Sequence, residues 1–126
     1  MHVIRLRRPW EKARPDGSQA SRIDVPEAND ASADPQAAYR YCRRFNTPSG
    51  LSASNRLYLR IDGWRGRLES ATINDHPLVV ASSRINADIT ALVQTHNQIT
   101  LVLAGHSGQS ASLNGEVTLA IEDNPQ

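Results

Sequence analysis

Arg56-Leu57-Tyr58-Leu59-Arg60-Ile61-Asp62 carries an aliphatic residue at every second position and a polar or amphipathic one between. Side chains of a strand point alternately to opposite faces, so this spacing predicts a strand that buries Leu57, Leu59 and Ile61. Glu116-Val117-Thr118-Leu119-Ala120-Ile121-Glu122 repeats the pattern, with Val117, Leu119 and Ile121 inward. Ile99-Thr100-Leu101-Val102-Leu103-Ala104 is short and apolar at both parities, as in a central strand covered on both sides. Outward from these, Ile4 and Leu6 alternate with Arg5 and Arg7, and Tyr39, Tyr41, Arg43 and Phe45 share one side of a further strand. Leu68 to Ile73 and Ile85 to Ile89 bring the set to about seven closely spaced strands.

The punctuation agrees with that reading. Pro48-Ser49-Gly50, Asp62-Gly63, Gly66, Asn74-Asp75 and Asn114-Gly115 supply positive φ or side-chain-to-backbone hydrogen bonds. Asn74-Asp75 before His76-Pro77 predicts a tight hairpin. Helical periodicity is confined to Thr90-Ala91-Leu92-Val93, one turn with Asp88 or Thr90 as its cap. Residues 26–38 are rich in Ala and Asp, hold no large apolar side chain, and read as an exposed loop. The expectation is an all-β protein: an antiparallel β-sandwich of the jelly-roll kind, forming one domain over residues 1–126.

A chain of 126 residues is long enough to remove about two-thirds of its surface from water on folding. Its single cysteine, Cys42, excludes an internal disulfide framework and a cysteine-based zinc cluster. No stretch approaches the roughly 20 apolar residues of a membrane helix. Arg5, Arg7 and Arg8 interrupt the amino terminus where a signal peptide would be apolar, so the expected location is cytoplasmic. The net charge of +1 hides an asymmetry. Residues 1–67 carry 13 Arg or Lys against 7 Asp or Glu, whereas residues 68–126 carry one Arg against six acids. In an antiparallel sandwich the halves interleave and neutralise each other, so nucleic acid is not an expected partner.

Several stretches, taken in order, resemble the amino-terminal sugar-binding domain of family 2 glycoside hydrolases, a galactose-binding-like jelly roll. They are Arg7-Arg8-Pro9-Trp10-Glu11, Tyr41-Cys42-Arg43-Arg44-Phe45-Asn46-Thr47-Pro48, Arg56 to Gly63, Ile73-Asn74-Asp75-His76-Pro77-Leu78, Asp88-Ile89-Thr90-Ala91-Leu92-Val93 and Asn97 to Leu103. Cys42 and Asp75 depart from that family's usual Arg and Gly. The resemblance implies the architecture and permits sugar binding. It does not imply hydrolysis, because the catalytic carboxylates of those enzymes lie in a separate barrel domain.

The chemistry of individual residues points the same way. Gly105-His106-Ser107-Gly108 lacks the final Gly and the helix of a nucleophile elbow, and reads as a hairpin loop. His2, His76, His96 and His106 have no metal-binding spacing. Domains of the resembled class often carry calcium, but Glu27, Asp30 and Asp34 match no calcium loop, so no metal and no cofactor are expected. Glu69, Glu116 and Glu122 read as solvated strand positions rather than a catalytic pair, and the chain is not expected to be an enzyme. Cys42 is flanked by Arg40, Arg43 and Arg44, which favour a thiolate, yet cysteines most often fill apolar space. Arg43 shares the parity of Tyr41 and Phe45, so a buried ion pair with Asp62 or Asp88 is expected.

The remaining candidate is a binding surface. Gly63-Trp64-Arg65-Gly66-Arg67 sets a Trp between two glycines, and Tyr58 shares an outer face with Arg60. Trp64, Arg65, Arg67, Tyr58 and Asn74 are therefore the expected ligand-binding residues for a saccharide. The competing expectation is that Trp64 folds over one end of the core, as Trp10 does. The function expected is a non-catalytic carbohydrate-binding module. The alternative is a protein-interaction or scaffold sandwich, as a homodimer or with another chain.

Overall fold

The computed structural model describes residues 2–28 and 33–123. Within them lie ten strands and no helix. They are β1 (His2–Arg5), β2 (Trp10–Ala13), β3 (Ser21–Ile23), β4 (Ala38–Asn46), β5 (Asn55–Ile61), β6 (Arg67–Ile73), β7 (His76–Pro77), β8 (Ile85–Asp88), β9 (His96–Ala104) and β10 (Val117–Asp123). A four-stranded sheet runs β1-β10-β5-β8 and a six-stranded sheet runs β3-β2-β4-β9-β6-β7, with antiparallel pairing throughout.

β5 does what its period-2 spacing requires, whereas β10 departs from it: Thr118 and Ala120 are buried as well, Ala120 standing between Val3 and Tyr58, and Ile121, expected inward, is half-buried. Leu57, Leu59 and Ile61 of β5 and Val117 and Leu119 of β10 are buried, and they meet Trp10, Tyr41, Phe45, Ile73, Ile99, Leu101 and Leu103 from the other sheet in one apolar cluster. Leu59 lies directly opposite Leu119 in the register, so the buried faces of both strands coincide. This is the expected all-β antiparallel sandwich. Trp10 closes part of the core, fully buried, its indole Nε1 donating to the Leu6 carbonyl at 2.7 Å.

The turns follow their chemistry as well. Asn74 and Asp75 adopt φ of 49° and 66°, the two positive values a two-residue hairpin between Ile73 and His76 needs. Ser107 and Gly108 do the same between His106 and Gln109, so Gly105-His106-Ser107-Gly108 is a hairpin turn. Asp88 caps a single turn at residues 89–93 by accepting from the Thr90 amide at 2.9 Å. Ile89 is buried beneath that turn.

Two further expectations about burial change. β9 is central in its sheet, but between Ile99 and Leu103 only Ile99, Leu101 and Leu103 are sealed; Thr100 and Val102 are half-buried on the outer face, which no third layer of the described residues covers. The stretch 26–38 is not uniformly exposed, because Glu27 and Ala37 turn inward at its two ends. Asp30 lies outside the described residues. No helix among the described residues is long and apolar enough to cross a membrane.

Candidate functional site

The outer face of the six-stranded sheet is assembled by register. Arg22, Glu11, Cys42, Thr100 and Thr72 stand side by side on β3, β2, β4, β9 and β6. Arg44 lies opposite Gln98 in the next outward row, and Arg40 opposite Val102 in the row on the other side. Because Tyr41 and Phe45 are buried, alternation turns Arg40, Cys42 and Arg44 outward. Together with Pro9, Trp10 and Arg43 these residues line a cleft of about 620 Å³. A second cleft of about 440 Å³ shares Arg44, Gln98 and Thr100 with it and runs on to Asn74, Asp75, Gln94, His96 and Asn97. The two form one groove across β4 and β9, of a size typical for small-molecule sites.

Cys42 sits on the floor of this groove, half-buried, its Sγ 3.9 Å from Thr100 Oγ1 and 3.8 Å from Gln98 Nε2. It does not fill the core: its parity is opposite to that of Tyr41. Asn74 closes the far end, but its side chain is already committed. Its Nδ2 donates to Leu92 O at 3.0 Å and to Asn97 Oδ1 at 2.9 Å, and its Oδ1 accepts from the Gln98 amide at 3.0 Å. Asn97, buried behind it, ties β9 to Phe45, Thr47 and Gln94.

Arg43 requires a correction. It makes no ion pair with Asp62 or Asp88. Both carboxylates belong to the opposite sheet or its turns, and Asp88 is engaged by the Thr90 hydroxyl and amide, which hold it below the usual carboxylate range. The Arg43 guanidinium instead donates to the carbonyls of Arg44 and of Arg8, the latter at 3.1 Å, and half-burial lowers its affinity for the proton. The parity was legible; the partner was not, because Arg43 lies near the end of β4, where the chain between β1 and β2 offers carbonyls first.

The buried ion pair of this fold lies elsewhere, between Lys12 and Glu27, whose side chains are 17% and 13% exposed. The second Glu27 oxygen accepts from Tyr41 Oη at 2.7 Å and from the Leu113 amide at 3.0 Å. Lys12 Nζ also lies 4.3 Å from the centre of the Tyr39 ring. Burial and the Glu27 carboxylate push the Tyr41 hydroxyl well above the ordinary tyrosine range. Glu27 is thus spent on holding its loop to β2, β4 and the segment before β10, and has no free oxygen for a metal. Asp34 caps the Gln36 amide at 2.9 Å. Among the described residues no three His, Cys, Asp or Glu side chains gather to hold an ion.

The five residues expected to bind ligand do not share one place. Trp64 is half-buried and packs against the core from the Gly63–Gly66 loop, which a backbone bridge between Arg65 and Ser112 secures. Tyr58 lies on the outer face of the four-stranded sheet, with the Arg60 guanidinium 5.8 Å from its ring centre. Arg67 lies 3.5 Å from Glu69 at the start of β6, and Asn74 follows the other end of that strand, about 20 Å away. Each carboxylate considered for catalysis faces an arginine: Glu69 with Arg67, Glu122 with Arg60 at 2.8 Å, and Glu116 with Arg5 and Arg7 at 3.7 and 3.6 Å.

A similar fold occurs within larger solved proteins. The chain is similar to part of the FMN-binding β-glucuronidase from Facaelibacterium prausnitzii L2-6, with TM-score 0.75 and 20% identity over 98% of this chain and 23% of that one. It is similar to part of the β-D-mannosidase from Dictyoglomus thermophilum, with TM-score 0.75 and 11% identity over 95% of this chain and 22% of that one. A glycosyl hydrolase family 2 member from Bacteroides cellulosilyticus gives TM-score 0.71 and 15% identity over 98% of this chain and 21% of that one. The chain therefore spans less than a quarter of these three neighbours, and at such identities the likeness is one of fold. No family model matches the sequence, and no curated protein matches it.

Proposed function

We propose that this chain is a non-catalytic carbohydrate-binding module whose ligand lies in the groove on the outer face of the six-stranded sheet. The groove itself carries the reading: Glu11, Arg22, Arg40, Arg44, Gln98 and Thr100 project hydrogen-bonding groups from paired strands into a space of about 620 Å³. Side chains fixed on paired strands are pre-organised, which lowers the entropic cost of binding a polar ligand. That the structural neighbours act on glycosides supports a saccharide as the ligand class.

A non-catalytic role is supported by the spacing of carboxyls. Glu11 and Asp75 are the acids that line the two clefts, and three strand-to-strand steps separate their positions across the sheet. At about 4.8 Å per step they stand roughly 14 Å apart, beyond the 9.5 Å or so that glycoside hydrolysis tolerates. Cytoplasmic residence belongs to the same reading, supported by the single unpaired thiol. A second reading, docking against another protein chain or a second copy, is favoured by Val79 and Val80, which are 82% and 40% exposed beside the short edge strand β7.

A thermal-shift series against neutral and acidic saccharides, with light scattering on the same samples, tests both. A ligand at a hundred times its Kd stabilises by about 2.7 kcal/mol, or roughly 10 °C for a domain of this size. The expected shift disappears in Arg44→Ala/Gln98→Ala and survives in Trp64→Ala. Loss in Trp64→Ala alone moves the site to the Gly63–Gly66 loop. Absence of any shift together with a dimer mass favours the protein-interaction reading.

A further inference from the structure

We infer that the ligand of this groove is an acidic saccharide, its carboxylate or sulfate held by Arg22, Arg40 and Arg44 and its hydroxyl protons accepted by Glu11; this rests on the groove being the binding surface proposed above. Elsewhere on the molecule six cations face carboxylates. Arg5 and Arg7 face Glu116, Arg8 faces Asp24, Lys12 faces Glu27, Arg60 faces Glu122 and Arg67 faces Glu69. The four arginines lining the main cleft, Arg22, Arg40, Arg43 and Arg44, make no ion pair among the described residues, and among those residues Glu11 is the one acid lining the cleft with them, which leaves these five side chains a charge of 4 − 1 = +3.

The hydrogen-bond inventory points the same way. The Nε atoms of Arg40 and Arg43 are shielded from water and have no acceptor. Among the described residues the Arg40 guanidinium donates only to the Pro15 carbonyl, at 3.5 Å. A guanidinium presents its donors as a planar fork that fits carboxylate or sulfate oxygens, so a cluster with spare donors is complementary to an oxyanion.

Two features narrow the class of anion. Among the described residues the only aromatic lining the cleft is Trp10, which is fully buried, so they present no exposed ring there on which nucleic-acid bases could stack. Glu11 stands between Arg22 and Cys42 in the outward row. A carboxylate there repels a simple polyanion but accepts from a hydroxyl. A ligand satisfying both the arginines and Glu11 carries acidic groups and hydroxyl donors together, as acidic sugars do. The continuation of the groove past Arg44, Gln98 and Thr100 gives room for a second sugar ring.

Isothermal titration of the whole chain tests this, with oligogalacturonate, heparin oligosaccharide, maltooligosaccharide of equal length, polyglutamate and single-stranded DNA as probes. The expected result is that an acidic saccharide binds at least about tenfold more tightly than the neutral one and than polyglutamate or DNA. Whether oligogalacturonate or heparin binds more tightly identifies the preferred oxyanion. Arg22→Gln and Arg44→Gln, both at exposed positions, should each weaken the acidic saccharide about tenfold or more while leaving the melting temperature in place. Arg40→Lys should weaken it too, since the charge stays but the fork is lost. Glu11→Gln should weaken the saccharide and strengthen polyglutamate. Equal binding of neutral and acidic saccharides overturns the inference and leaves the carbohydrate module standing. Polyglutamate or DNA binding as tightly as the acidic saccharide overturns it as well, since charge alone would then suffice. If no saccharide binds, the module fails and the inference with it.

Discussion

Removal of the Glu27 carboxylate should damage this protein more than its place in an Ala/Asp-rich loop suggests. In Glu27→Ala the Lys12 ammonium, 17% exposed, loses its counter-charge, while the Tyr41 hydroxyl and the Leu113 amide lose their acceptor. Stripping one partner from a buried pair costs about 3–5 kcal/mol. Residual exposure of both side chains puts this case near the lower end, about 3 kcal/mol. With an unfolding entropy of roughly 2.1 cal/mol/K per residue, that lowers Tm by about 11 °C. Urea denaturation with linear extrapolation measures it directly. Glu27→Gln, which keeps an acceptor but no charge, should fall between. The double variant Lys12→Met/Glu27→Gln should recover about 2 kcal/mol relative to the sum of the single changes, because no unpaired charge is left behind. A cost below about 1 kcal/mol for Glu27→Ala, or additivity within about 0.5 kcal/mol, would refute the reasoning and make the pair a surface contact.

Three further outcomes follow from the same geometry. Asn97→Ala removes a side chain that is 3% exposed and joins five hydrogen bonds; a loss of about 3 kcal/mol is expected in denaturant titration, and a near-neutral result would mean water replaces the amide. The Tyr41 hydroxyl holds its proton more tightly folded than unfolded, so its contribution is intact below the unfolded value of about 10 and is lost as pH rises above it. Tyrosinate absorbance should therefore show one of the three tyrosines ionising only with unfolding, and Tyr41→Phe should flatten the alkaline fall in stability. Gly105→Ala would set a Cβ 1.7 Å from the Pro35 carbonyl oxygen, with an overpacking cost of about 2–3 kcal/mol. The Cβ of Gly50→Ala meets nothing within 4 Å, so only the φ of 81° opposes it, at about 1 kcal/mol, and a melting point for Gly105→Ala no lower than that of Gly50→Ala would contradict the close approach.

The sequence alone was enough for the strands and for the buried face of β5, since period-2 alternation in residues 56–62 reports burial without reference to any partner; in residues 116–122 it was not, because Ala120, placed between Val3 and Tyr58 of the flanking strands, is buried while Ile121 is half-buried. It was enough for the Asn74-Asp75 turn and for the outward face of β4, because parity with Tyr41 and Phe45 places Arg40, Cys42 and Arg44 together. What alternation cannot carry is register across strands distant in the chain. That Glu11 stands beside Cys42, and Cys42 beside Thr100, was decided by pairing of segments up to 58 residues apart. The same holds for the charges. The basic first half and acidic second half cancel on the four-stranded sheet, where β10 lies between β1 and β5, but the arginines facing out from β3 and β4 meet no acidic strand. Glu27, read as part of an exposed loop, became the centre of a buried network only because the fold carries Lys12, Tyr41 and Leu113 to it. Local patterning determines which face a side chain takes, since it depends on nearest neighbours in the chain. Which side chains then meet is a property of the sheet order, and that is set by the packing of the whole core.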